Sequence, residues 1–498
     1  MSTAKALLMD ETEGETVPDI VVWMRSGSFV IKIAIFASVS SMMMGYDASI
    51  IPSTQRSMGE SLGISPHLME MHVGFSYLAA VPGALFAGSI ADSTGRLHAL
   101  MYTAMALFVG PFMTALSVGL TSLVLGRLVT GFACGAALTI VPLYVAEISP
   151  RAHRGTLVSF AELFSNVGVL VGFLIGWLIN HYLAAEDAWR PMIFGGCLPA
   201  LFVLSTLPLL PNSPRYLAAK GQLFEAAKLM GETHGEDYEE EVEDFTAEWE
   251  RAPRGLKDAS WADVICPIRS MRKVLVIGFV LAVIQQLSGI AAPIFYTTDL
   301  YTEQFGLVDE SHVLLLTMIQ GSIRIIGTFL AMLFLDSWGR RSVLIGGAIL
   351  IALSHAVVAV SFLLNSRALM VTGHFLFIAS FSATLGPGTW VVLSEIFPLV
   401  IRCHALGLSI AINRLGAAAM SLGFGPLNVT MGDPGLFLCF SMVNLVAAAV
   451  IFLNVPETKG NSLEDIADEH AQADIHIMAR PSYATFKADF TRSRADVV

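Results

Sequence analysis

Two carboxylates lie inside long apolar stretches of this sequence, Asp47 in the run 30–50 and Glu162 in the run 156–180. A charged side chain at the centre of a bilayer costs ~2.5–3.5 kcal/mol on insertion scales, so each needs a compensating group or a task. Burial favours the protonated form of a carboxylate and a nearby cation favours the ionised form. A transmembrane Asp47 that loses and regains a cationic partner can therefore load and release a proton; one that keeps its partner only fixes helix packing. Glu162 is open to three readings: it accepts hydrogen bonds from a polar ligand, it balances the intramembrane charges Arg324 or Arg414, or it titrates in its own right. Gln285 and Gln286 sit in the apolar run from Val274 to Leu287, and an amide offers both donors and an acceptor, the mixture a polar ligand needs. The same amides can instead bond neighbouring helices. Trp390 follows Gly386-Pro-Gly, which is expected to break its helix, and an indole offers an apolar face plus one N–H donor. Phe295 and Tyr296 divide the same way between substrate contact and packing.

These groups need walls to hold them. Of 498 residues, 54% are apolar and 14% charged, with mean hydropathy +0.66, a balance that excludes a disordered chain, a nucleic-acid binder and an ordinary cytosolic enzyme. The net charge of −12 resides largely in Glu236–Glu250 and the two tails. Apolar runs of about 20 residues, the length that crosses a bilayer, fall near 30–50, 71–91, 97–117, 121–145, 156–180 and 190–210. A second set falls near 272–297, 311–335, 342–363, 369–393, 404–428 and 434–454. The expected organisation is an N-terminal tail 1–29, a six-helix half 30–210, a helical linker 211–271, a second half 272–454 and a tail 455–498. Short surface helices are expected around Gln222–Met230 and Asp237–Glu250. The acidic N-terminus (Asp10, Glu11, Glu13, Glu15, Asp19) is unlike a secretory signal, and the five cysteines form neither a disulfide framework nor a zinc spacing. Arg96, Arg151, Arg154, Arg340, Arg341 and Arg402 occupy every second loop, which by the positive-inside rule places both termini and the linker in the cytoplasm.

The two sets are copies. Asp92-Ser-Thr-Gly-Arg96 recurs as Asp336-Ser-Trp-Gly-Arg340, Glu147-Ile-Ser-Pro as Glu395-Ile-Phe-Pro, and Pro211-Asn-Ser-Pro as Pro456-Glu-Thr-Lys, at offsets of 244, 248 and 245 residues. One near-constant offset of half the chain implies a parallel repeat, the construction of alternating-access transporters. The fifth run also carries Gly168, Gly172 and Gly176 on one face, a close-packing surface.

From about residue 30 to 466 the chain resembles the sugar porters of the major facilitator superfamily. The motifs that carry the resemblance are Gly45-Tyr-Asp47, Asp92-Ser-Thr-Gly-Arg96, Gly126-Arg127, Pro142-Leu-Tyr-Val-Ala-Glu147, Pro211-Asn-Ser-Pro-Arg215, Gln285-Gln286-Leu-Ser-Gly289, Asp336-Ser-Trp-Gly-Arg-Arg341, Gly386-Pro-Gly-Thr-Trp390, Glu395-Ile-Phe-Pro398 and Pro456-Glu-Thr-Lys-Gly460. The resemblance implies an all-α membrane protein of twelve transmembrane helices in two six-helix halves with a cytoplasmic helical linker. It makes Arg127 the partner of Asp47 in proton coupling. It implies substrate contacts from Glu162, Gln285, Gln286, Phe295, Tyr296, Trp390 and Asn413. It assigns Asp92, Arg96, Glu147, Arg151, Arg154, Asp336, Arg340, Arg341, Glu395 and Arg402 to ion pairs that close an inner gate. Glu162, Arg324 and Asn413-Arg414 stand where the plant-type polyol transporters are similar, whereas Ala291 lacks the polar side chain that both hexose and polyol members carry there.

The expected function is proton-coupled symport of a polyol or monosaccharide, with a facilitative hexose transporter and a non-transporting sugar sensor as rivals; the short tail from Val455 argues against the sensor. The expected partners are a small sugar or polyol, a proton and the lipid bilayer, with no nucleic acid. No cofactor or metal is expected. Walker A, Gly-x-Gly-x-x-Gly, His-Glu-x-x-His and Gly-x-Ser-x-Gly signatures are absent, so neither ATP-driven transport nor enzymatic catalysis has residues to carry it. A plasma-membrane location is expected.

Overall fold

The computed structural model describes residues 29–150, 153–182, 185–234, 261–267, 269–290, 310–397 and 401–459, and among these there is no strand. The first half consists of α1 (Phe29–Leu62), α2 (Pro66–Thr94), α3 (Arg96–Ala115), α4 (Leu120–Ile148) and α5 (Arg154–Tyr182), followed by α6 (Ala185–Phe194) and α7 (Cys197–Thr206). The linker contributes α8 (Pro214–Ala219), α9 (Leu223–His234) and α10 (Trp261–Ile265). The second half consists of α11 (Arg269–Gln285), α12 (Glu310–Trp338), α13 (Arg340–Leu363), α14 (Arg367–Ala383), α15 (Leu385–Ile396) and α16 (Arg402–Asn454). The helix expected at Asp237–Glu250, residues 1–28 and 460–498 of the two tails, Arg151, Ala291, Phe295 and Tyr296 lie outside the described residues.

Eleven helical segments among the described residues are long and apolar enough to cross a membrane. The stretch expected as the eleventh span belongs to α16, whose 53 residues would extend about 80 Å as one rod, more than twice the hydrocarbon thickness. That rod is broken at Gly432, where φ is 69° and ψ 161°, a backbone conformation that a side chain would strain. The sixth expected span is likewise two helices, α6 and α7, parted at Gly195-Gly196. The tenth breaks at Thr384 (φ −140°, ψ −88°), two residues before the expected Gly386-Pro-Gly. Pro387 lies in the first turn of α15, where its missing N–H leaves no intrahelical bond unmade, so the motif starts a helix instead of ending one.

Large apolar side chains such as Phe86, Phe329, Leu353 and Phe452 face outward, as helices bathed in hydrocarbon require, while Leu100, Tyr144, Leu344, Ile351 and Phe397 are buried. In the first half α1 packs on α5 and α4 packs on both α2 and α3; in the second, α13 packs on α14 and α16. Two seams join the halves, α2 against α16 and α5 against α12. The glycine face of α5 is spent against α1: a Cβ on Gly168 would strike the Met42 carbonyl, and one on Gly172 the Ser49 hydroxyl. That close approach sets Asp47 and Glu162 on one wall of a shared cavity.

Candidate functional site

A central cavity of about 180 Å³ opens between the halves, lined from α1, α2, α4 and α5 on one side and from α11, α12, α14, α15 and α16 on the other. Asp47 reaches it from α1, where both carboxylate oxygens take Arg127 of α4, Oδ1 from Nη1 and Oδ2 from Nη2 at 2.9 Å. Arg127 is 3% exposed and Asp47's side chain 16%, so the pair is enclosed on the arginine side and open to the cavity on the other. A bidentate pair of this kind is directional as well as strong.

Glu162 faces the pair from α5. Its charged neighbours are Arg324 of α12 and Arg414 of α16, both from the opposite half, and Asn166, one turn along α5, donates to its Oε1 at 3.5 Å. Trp390 of α15 lines the same space and is a hydrogen-bonding neighbour of Glu162. The cavity thus holds two carboxylates from the first half among three guanidiniums, one from the first half and two from the second.

The glutamines bond neighbouring helices, one of the two readings weighed from the sequence, and they also line the cavity. Gln285 donates to the Gly386 carbonyl at 3.1 Å and accepts from Asn413 Nδ2 at 2.8 Å, while Gln286 donates to Asn413 Oδ1 at 3.0 Å; both side chains line the cavity. Asn413 is fully buried and is not part of the lining. It stands behind the glutamines and also bonds the Ala282 carbonyl at 2.8 Å. These bonds tie α11, α15 and α16 into one polar block, held up by a π-type turn at Gln286–Ile290 that closes with Gly289 at φ 92°. Such turns re-aim side chains within a helix.

Several lining residues carried no expectation. Ser165 and Asn166 extend the Glu162 wall, Ser76 and Tyr77 come from α2, and Gln55 from α1. Asn166 also donates to Thr328 Oγ1 at 3.0 Å across the α5–α12 seam. The i, i+4 spacing of Glu162 and Asn166 was the available signal, since such residues share a helix face.

At one end of the bundle the repeat is visible in three dimensions. Arg96 grips Glu147 with Nε and Nη2, each at 2.9 Å, and Arg340 grips Glu395 with the same two atoms at 3.3 and 3.1 Å. Each arginine is also paired with the aspartate one turn before it, Asp92 at 3.2 Å and Asp336 at 3.1 Å. A hydroxyl completes each glutamate: Ser213 donates to Glu147, and Thr458 to Glu395 at 2.7 Å. Gly95 and Gly339 precede the arginines with φ of 95° and 87°, which explains the shared Gly-Arg step. These ion pairs join helices within each half. The bonds that cross between halves come from other partners: Thr156 N–H donates to Asp336 Oδ2 at 3.0 Å, His404 stands 3.6 Å from Asp92, and Arg96 Nη2 lies 3.3 Å from Cys403 Sγ. Arg154 and Arg402 are buried nearby, the latter donating to the Phe397 carbonyl at 3.0 Å; the Arg341 backbone N–H donates to Glu457 at 3.1 Å. All five cysteines are free.

The sequence profile of the family described as "Sugar (and other) transporter" matches residues 33–469. The probable polyol transporter 4 of Arabidopsis thaliana is 31% identical over 453 residues, covering 89% of this chain and 85% of that protein. The glucose transporter GlcP of Staphylococcus epidermidis is 27% identical, covering 88% and 96%. Among solved structures, the proton:xylose symporter XylE bound to 6-bromo-6-deoxy-D-glucose superimposes with a TM-score of 0.81 at 25% identity, covering 88% of this chain and 98% of that one.

Proposed function

Because this chain belongs to the sugar transporter family of the major facilitator superfamily, we propose that it is a proton-coupled symporter of a polyol or monosaccharide that works by alternating access. The observation that carries the reading is the Asp47–Arg127 pair opening on the cavity. In the cycle we propose, a proton reaching Asp47 neutralises the carboxylate and releases Arg127, and the loaded cavity then changes sides as the two halves rock about the α2–α16 and α5–α12 seams. Gln285, Gln286 and Trp390 offer the substrate amide donors, amide acceptors and an apolar face. The polyol transporter and proton symporter among the relatives agree with this reading. We place the end carrying Arg96 and Arg340, with both termini, in the cytoplasm and the protein in the plasma membrane.

The test is uptake of labelled hexoses, mannitol, sorbitol and inositol into a transport-deficient cell with external pH recorded. Asp47→Asn is expected to abolish accumulation against a gradient while retaining exchange or downhill flux. A variant that still concentrates substrate with unchanged pH dependence identifies Asp47–Arg127 as a fixed packing pair and puts the proton coupling elsewhere, whereas a wild type that only equilibrates substrate is a facilitator.

A further inference from the structure

The cavity charges do not cancel. Among the described residues, two carboxylates and three guanidiniums line it, and both oxygens of Asp47 are already taken by Arg127. Glu162 is the only other lining carboxylate among them, and its charge is shared between Arg324 and Arg414. Arg414 is nine-tenths buried, yet two of its nitrogens are hydrogen-bonded to a neutral group: Nε donates to Asn413 Oδ1 at 3.1 Å and Nη2 donates to the same atom. Among the described residues no carboxylate lies within 4 Å of its guanidinium. A cation held this deep in a membrane protein with no carboxylate in ion-pair reach among the described residues is costly, and further compensation beyond the shared charge of Glu162 can come from what enters the cavity.

The chemistry that Arg414 offers is specific. A guanidinium presents a planar fork that matches a carboxylate with two parallel hydrogen bonds. Around Arg414 the lining offers what the remainder of a sugar needs, with Gln286 for hydroxyls and Trp390 for C–H faces. We propose that the cavity accepts polyhydroxy acids, sugars or polyols bearing one carboxylate, and that Arg414 is the residue that anchors the carboxylate. The proposal rests on the transporter reading and narrows its substrate class. It has an electrical consequence: a proton moving with a neutral polyol carries one positive charge, whereas a proton moving with a monocarboxylate carries none.

The experiment uses the full chain in proteoliposomes, with gluconate and glucuronate as acidic probes and glucitol and glucose as their neutral counterparts. In wild type the acids are expected to compete with labelled substrate at least as well as the neutral compounds, and acid uptake driven by a proton gradient is expected to generate no current. Arg414→Gln is expected to raise the ratio of acid to neutral inhibition constants by roughly tenfold to a hundredfold, the loss of one charged hydrogen-bonded contact. Arg414→Lys, which keeps the charge and loses the fork, is expected to fall between. Neutral compounds taken up while neither acid competes overturns the proposal and leaves the transporter reading intact. Acids that compete equally in wild type and Arg414→Gln overturn the assignment to Arg414. Uptake of neither class overturns the transporter reading itself. Wild-type competition decides the substrate class even if the glutamine variant does not fold.

Discussion

At the closed end of the bundle each arginine of the repeat is matched by a glutamate that it grips with two nitrogens; in the cavity three guanidiniums share two carboxylates. The residue types are the same and the depth of burial is similar, with Arg96 and Arg340 7% and 2% exposed and Arg324 and Arg414 7% and 9%. What separates the regions is satisfaction. Glu147 accepts two bonds from Arg96 and one from Ser213, which fill three of its roughly four acceptor sites and balance its charge, whereas Arg414 spends two of its nitrogens on a single amide oxygen. A buried charge closed by its neighbours builds structure, and a buried charge left open by them awaits a partner.

The largest effect that can break this contrast is at the closed end. Glu147→Ala leaves the buried Arg96 with only the partly exposed Asp92 as an ion-pair partner, a change expected to cost up to about 3–5 kcal/mol and to deplete folded protein in detergent. Arg96→Leu combined with Glu147→Leu removes both charges and is expected to recover most of that loss, because desolvation and attraction disappear together. Thermal unfolding monitored by size-exclusion chromatography reads both. A single variant as stable as wild type would mean that the Arg96 cluster is no better satisfied than the cavity, and the distinction between the regions would fail.

Which region a charge belongs to was only partly legible in the sequence. The paired motifs at Asp92–Arg96 and Asp336–Arg340 announced the repeat, because a duplicated local pattern survives in one dimension, and the structure returns it as two matching Arg–Glu clusters. Hydropathy located the helices, since a crossing of fixed length leaves a run of fixed length. It missed the break at Gly195-Gly196, which interrupts the backbone without interrupting apolarity, while the break of the tenth span, expected from Gly386-Pro-Gly, falls two residues earlier at Thr384. The partners across the halves were illegible for a different reason. Thr156 with Asp336 and Asn166 with Thr328 are 180 and 162 residues apart and carry no shared motif. Asn413 shows the same limit: sequence places it beside Arg414 on a helix and cannot say that one side chain lines the cavity while the other stands behind it.

A smaller effect sharpens the contrast inside the cavity. Gln285 is engaged at both ends of its amide, by the Gly386 carbonyl and by Asn413, and also lines the cavity. Gln285→Ala is expected to weaken substrate affinity about tenfold, the worth of a buried hydrogen bond plus part of the penalty for the groups it abandons. Half-saturation constants at equal surface expression measure this. An unchanged constant would reassign Gln285 to the scaffold alongside Asn413.

The smallest expected effect lies on the α5–α12 seam, where the two regions communicate. Thr156 meets Asp336 twice, through its backbone N–H at 3.0 Å and through its hydroxyl, which is also 3.1 Å from the Met332 carbonyl. Asp336 is already paired with Arg340 in its own half, so these bonds use the spare acceptor capacity of a satisfied cluster to hold the opposite half in place. Thr156→Val keeps the side-chain shape and the backbone bond and removes only the hydroxyl. A net loss of about 1 kcal/mol from the closed arrangement changes the closed-to-open ratio about fivefold. Folding stability is expected to move little by comparison with Glu147→Ala, because every charge at this end keeps its partner. Spin labels at the Thr156 ends of α5 and α12 would report the shift as a larger population of separated ends. If the distance distribution is unchanged, the Thr156 hydroxyl does not set the gate equilibrium, and the closure of this end rests on the backbone bond and on the α2–α16 seam instead.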